Sequence, residues 1–185
     1  MRRLLIFLAA CASAPPPPPP ALVIAKPCLG PEHRQLDFWI GDWSVAVHSR
    51  ATPTSETWTD QRGTQHVTPT LSGCAIEEHF SADPPAPWAG RSFSAFDAIT
   101  KQWRQTWVDD SGGYLAFTGG LERGDSGDFT FVGEPRDFGG KPFQMRMVFS
   151  KITHDALHWE WQRSEDAWAT HVVLMAIDYT RLAVR

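Results

Sequence analysis

The sequence predicts an all-β domain, an antiparallel up-and-down β-barrel of about ten strands preceded by a short N-terminal helical turn. Three observations carry this expectation. Apolar and polar residues alternate in period two along short runs, Gly, Asp and Pro break those runs at regular intervals, and helical periodicity is scarce after Trp43. A meander with one apolar face has to bury it, and closing the sheet on itself does so while removing exposed edges. An open sandwich is the alternative, because turn spacing alone does not separate the two.

A chain of 185 residues suits one domain with a substantial core. The composition, 42% hydrophobic and 21% charged, is that of a globular protein, yet nine tryptophans are several times common usage, so aromatic surface should dominate the packing.

Residues 1–10 read as an export signal: Arg2 and Arg3 form a basic start, and "LLIFLAA" is an apolar run too short to span a bilayer as a helix. Two processing sites compete, the small-residue stretch "ASA" at Ala12–Ala14 and the tetrapeptide "LAAC" ending at Cys11. The second is better placed, since cleavage at the first would leave Pro15 after the cut. "LAAC" resembles the lipobox of bacterial lipoproteins, which implies lipidation of Cys11 and a membrane-held protein. Ala12 after that cysteine resembles outer-membrane retention, so the expected location is the cell envelope, anchored in the outer membrane and facing the periplasm. Residues 11–30 then form a tether, in which "PPPPPP" favours extended polyproline II and acts as a semi-rigid spacer. Two cysteines remain, Cys28 and Cys74, and an even remainder in an exported chain suggests a disulfide.

The domain is expected over 31–185. "PEHRQLDFW" supplies the helical turn, with Leu36, Phe38 and Trp39 as its apolar contacts. "WSVAVHS" opposes Trp43, Val45 and Val47 to Ser44, Ala46 and His48. "TWTDQRGTQHVTPT", "CAIEEHFS" and "RSFSAFDA" follow as strands, then "WRQTWVDD", "GYLAFTGG" and "DFTFVGE", separated by the turn formers "DDSGG" and "ERGDSGD". "PFQMRMVFS" places Phe143, Met145, Met147 and Phe149 on one face, and "ALHWEWQ" does the same with Leu157, Trp159 and Trp161. "WATHVVLMAIDYTRL" closes the series.

"IGDWSV" sets Gly41 and Trp43 at the head of the first strand, and "DYTRL" sets Arg181 at the end of the last. The pairing resembles the calycin signature of lipocalin-like barrels, in which a tryptophan packs under the floor and an arginine covers its ring. With "SGCAIEEHF", "RSFSAFD" and "KQWRQTWVDDSGGYLAFTGG" the chain looks like a family of uncharacterised bacterial domains similar in architecture to calycins, over residues 32–182. The resemblance implies a lipocalin or fatty-acid-binding type of closure and brings no established reaction. The lipobox and the proline tether are additions to it.

Candidate functional residues follow from parity. Glu78 shares a face with Cys74, Ile76 and Phe80, so an inward face makes it a carboxylate in an apolar lumen, either a functional acid or the partner of Arg91, Arg104 or Arg146. An outward or mouth position would leave it in water. Trp39, Trp103, Trp107, Phe117, Phe131, Met145, Met147, Trp159 and Trp161 could line a ligand cavity or fill a solid core. The Asp109–Asp110 pair reads as a turn former. The seven histidines lack HExxH spacing, and no CxxC or CxxH occurs, so no metal or other cofactor is expected. A late-strand His171 resembles the axial ligand of nitrobindins, but the glycine-rich first-strand motif of that family is missing. Without Arg2 and Arg3 the chain keeps 15 of its 17 basic residues against 21 acidic ones, and with no basic stripe nucleic acid is not an expected partner. The reading that results is a non-catalytic envelope lipoprotein binding a small apolar or amphipathic molecule. The alternatives are an enzyme using Glu78 or His79 at the barrel mouth, and a structural or interaction module of the envelope.

Overall fold

The computed structural model describes residues 28–84, 86–121 and 127–183. The export signal, Cys11 and the proline tether lie outside the described residues. The chain enters through two 3-10 turns, η1 (Pro31–Arg34) and η2 (Asp37–Trp39), the first begun by a proline whose fixed φ suits a helical start. The strands are β1 (Gly41–Ser49), β2 (Thr59–Thr70), β3 (Ala75–Ala82), β4 (Ala89–Asp97), β5 (Gln102–Asp109), β6 (Tyr114–Leu121), β7 (Phe129–Gly133), β8 (Arg136–Phe138), β9 (Lys141–Ser150), β10 (Ala156–Ser164) and β11 (Val172–Arg181).

Ten of these strands form a closed antiparallel barrel. Neighbours in sequence pair with one another, β7 pairs with β9, and β11 returns to β1 with Trp43 opposite Arg181. The strand missed in the sequence is β8, a three-residue arm folded back on the start of β9 across the Gly139–Gly140 turn. Its residues are all exposed, so no alternation of burial marked it.

Parity decides what is inside. Trp43, Val45 and Val47 of β1 face inward, as do Met145, Met147 and Phe149 of β9. At one end Leu36, Trp39, Trp43, Trp103, Phe129 and Phe149 are essentially sealed from solvent and form an aromatic plug, with Trp39 edge-on to Phe149 at 5.1 Å. Each such side chain removed from water stabilises the fold by roughly 1.5–3 kcal/mol.

Beneath the plug the Arg181 guanidinium lies 4.0 Å from the Trp43 ring centroid. It also donates to the carbonyls of Phe38 (3.1 Å), Ile40 (2.7 Å) and His154 (2.6 Å), tying η2 and the β9–β10 connection to the closing strand. The Trp43 indole N–H donates to the Trp39 carbonyl at 2.9 Å. Gly41 has φ of +143°, and a Cβ there would run into the Arg181 guanidinium, so both backbone and space demand glycine. A disulfide joins Cys28, ahead of η1, to Cys74 at the head of β3. Closing a loop of 46 residues stabilises the fold by about 4 kcal/mol in the chain-entropy account.

Candidate functional site

Above the plug the barrel is hollow. A cavity of about 180 Å³ extends from Trp39 and Phe149 toward the end formed by Phe80, Trp88, Trp107 and Asp109. Its lining is asymmetric. One wall, from β6, β9, β10 and β11, is apolar and carries Phe117, Met147, Trp159, Trp161, Met175 and Ile177. Trp159 and Trp161 are two residues apart on β10 and lie parallel at 6.3 Å, while Phe117 meets Trp161 edge-on at 5.5 Å.

The other wall, from β2, β3 and β5, is polar where it is deepest, with Gln65, Glu78 and Gln105. Cross-strand register builds it. Glu78 stands opposite Ser92 of β4, and Ser94 stands opposite Gln105. The Ser92 hydroxyl donates to Glu78 Oε2 at 2.5 Å, and Gln105 Nε2 donates to Ser94 Oγ at 3.1 Å and to Ser92 Oγ at 3.3 Å. Tyr179, facing in from β11, donates its hydroxyl to Gln65 Oε1 at 2.9 Å.

One donor on this cavity has no partner among the described residues. Gln65 Nε2 is buried and unpaired, whereas the Trp39 indole N–H turns to the Tyr179 hydroxyl. An orphaned buried donor costs about 1–3 kcal/mol, so a ligand oxygen placed there recovers a real loss.

Glu78 is only 6% exposed. Burial lifts its carboxyl to about 7, outweighing the Ser92 hydrogen bond that favours the anion. Burial, and next the neighbouring Glu78 carboxylate, push Tyr179 well above the ordinary phenol range, so it stays a neutral donor.

The arginines offered as partners for Glu78 are elsewhere. Arg91 is exposed, Arg104 lies 3.7 Å from Asp97, and Arg146 donates to Gln162 while its guanidinium covers Trp168 at 4.3 Å. All three have outward parity, and none lines the cavity. Of Glu78 and His79, offered as alternatives for catalysis, only Glu78 lines the cavity. They are consecutive on a strand, so one points inward and the other out, where His79 bonds Glu77 at 2.7 Å. Glu78 also lies deeper than the mouth position expected of it, two residues below Phe80 along β3.

Of the residues expected to contact a ligand, Trp39, Glu78, Trp107, Phe117, Met147, Trp159 and Trp161 line the cavity. Trp103, Met145 and the fully buried Phe131 do not. Trp103 is sunk in the plug, where its indole N–H donates to Gln35 Oε1 at 3.0 Å, and Met145 faces a separate recess beside Gly133. Sequence reasoning missed Gln65, Gln105, Trp88 and Tyr179. The signal available for Gln65 was its parity with Gly63 and Val67, both buried on β2.

No histidine lines the cavity. His48 pairs with Asp60, His66 with Asp42 and His158 with Asp178, all on the outer wall, and His171 is exposed. Among the described residues no group of three or more His, Cys, Asp or Glu could hold a metal ion. Asp109 is a turn former at the rim. It accepts from the Ser111 hydroxyl, the Trp107 indole (2.9 Å) and the Gly113 amide (2.9 Å), and these bonds hold its carboxyl at about 2.

A closed antiparallel barrel with one end plugged and a hollow, two-faced lumen is the class of protein that fold and site define. The chain belongs to the family described as Protein of unknown function (DUF1579), whose model matches residues 29–181 and so takes in the whole barrel. A comparison with curated proteins gives no match.

Proposed function

We propose that the protein is a calycin-like binding barrel that holds a small, largely apolar molecule without turning it over, tethered to the cell envelope through a lipidated Cys11. The observation that carries the binding reading is the cavity of about 180 Å³ with a continuous aromatic wall facing a hydrogen-bonded polar one. Side chains that served only as a solid core would leave neither the space nor the unpaired Gln65 Nε2. The leader, the "LAAC" tetrapeptide and the six prolines support the tethered location.

A second reading, catalysis by Glu78 as a general base, has one observation in its favour: a carboxyl that titrates at about 7 inside a cavity. The other ionisable residue of the lining, apart from the neutral Tyr179, is Asp109, which its turn already occupies. The binding reading therefore uses more of what the site contains.

Isolation of the wild-type and Cys11→Ser proteins from the host without denaturation, followed by native mass spectrometry, tests both parts. The wild type is expected in the membrane fraction and the variant in the soluble fraction, each with the same small mass bound. A variant still held in the membrane removes the lipid anchor, and a protein that carries and captures no small molecule removes the binding barrel.

A further inference from the structure

We infer that the lumen selects an uncharged molecule of one or two rings, bearing a carbonyl-type acceptor beside a hydrogen-bond donor, and rejects the corresponding carboxylate. This rests on the binding reading above and adds the chemistry of the ligand.

Size comes first. A dry apolar cavity of roughly 150 Å³ holds a benzene molecule, and the lumen measures about 180 Å³. A long acyl chain does not fit that space, whereas one aromatic ring with a substituent, or a compact bicycle, does. The stacked Trp159 and Trp161 and the edge of Phe117 offer such a ring its faces and edges.

The polar wall sets the substituent. Gln65, 2% exposed and part of the lumen wall, carries a buried Nε2 with no partner among the described residues, so an acceptor on the ligand is what would answer it. Glu78 lies across one strand spacing, with Val67 of β2 as its direct partner and Gln65 two residues along. Its carboxylate has the Ser92 hydroxyl as its one hydrogen-bond donor among the described residues. That leaves acceptor capacity for a ligand N–H or O–H next to the oxygen.

Charge sets the rest. The lining carries two residues with formal charge, Glu78 and Asp109, and both are acidic. Among the described residues no lysine or arginine lines the lumen to offset an anion. Above about pH 7 Glu78 is itself ionised, so a second carboxylate would sit beside it in a desolvated space. A neutral amide-like edge satisfies the same groups without that repulsion.

The test uses three ligands of matched ring size, benzamide, benzoate and toluene, titrated at pH 8 into the purified full-length protein and followed by tryptophan fluorescence and calorimetry. Benzamide is expected to bind about tenfold or more tighter than either of the others. In Glu78→Gln the benzamide-over-benzoate preference should shrink by about tenfold, because the repelling charge is gone. Benzoate binding the wild type as tightly as benzamide, or a preference unchanged in Glu78→Gln, overturns the inference while leaving a binding barrel in place. Saturable binding of none of the three removes the barrel reading and this inference together. Should Glu78→Gln fail to fold, Gln65→Met gives an independent answer: benzamide affinity falls to the level of toluene, and unchanged affinity contradicts the assignment.

Discussion

Glu78 occupies the lumen with no cation beside it among the described residues, and pH sets the cost of that placement. In an unfolded chain the carboxyl loses its proton near the ordinary 4.5, whereas in the barrel it keeps it up to about 7. The folded state thus binds the proton more tightly. Stability is undiminished below about pH 4.5, declines as pH rises from there to about 7, and levels off above. The full penalty for the ionised group is about 3 kcal/mol. Glu78→Gln keeps an oxygen for the Ser92 hydroxyl and removes the charge, so it should be more stable than wild type by up to about 3 kcal/mol at pH 8 and nearly equal to it at pH 4. Urea unfolding at the two pH values checks this, and the same stability difference at both would mean that Glu78 is solvated. Neighbouring residues show why the polar wall was hard to read in advance. On β4 the alternation "RSFSAF" invites Phe93 inward, yet Ser92 and Ser94 are buried and Phe93 is half exposed. Hydrogen bonding to Glu78 and Gln105 outweighs hydrophobicity there, and that pairing depends on register between strands 14 residues apart in the case of Glu78 and Ser92.

At the level of elements, β1 and β11 pair along the ladder from Trp43–Arg181 to Ser49–Met175, and the contact at its Trp43–Arg181 end fastens it. Arg181 covers Trp43 and donates to three backbone carbonyls from two separate connections, so one side chain fastens η2, β1, β11 and the β9–β10 turn. Arg181→Ala removes a cation–π contact and leaves those carbonyls without their charged donor, an expected loss of about 3 kcal/mol. Thermal and denaturant unfolding measure it, and a loss under about 1 kcal/mol would place closure elsewhere. This fastening was legible in the sequence because Gly41, Trp43 and Arg181 mark the two strand ends directly. The inward faces of β1, β9 and the first half of β10 were legible for a similar reason: period-two alternation there is uninterrupted. Trp103 and Met145 share the parity of lumen residues but not their height in the barrel, and parity carries no information about height. The arm β8 escaped notice because all three of its residues are exposed.

The molecule as a whole is a container closed at one end, with acidic residues and histidines on its outer wall and aromatic residues within. The disulfide Cys28–Cys74 fixes the approach of the chain to the plugged end, which leaves the Trp88 and Trp107 end as the route into the lumen. The central claim is that the space between Glu78 and the Trp159–Trp161 pair receives a ligand. A crystal structure of the protein soaked with 4-bromobenzamide, measured at the bromine edge, tests it most directly. The account predicts an anomalous peak inside the barrel against Trp159 and Trp161, with the amide turned toward Gln65 and Glu78. Bromine found on the outer surface alone, above a lumen filled with side chains, would contradict it.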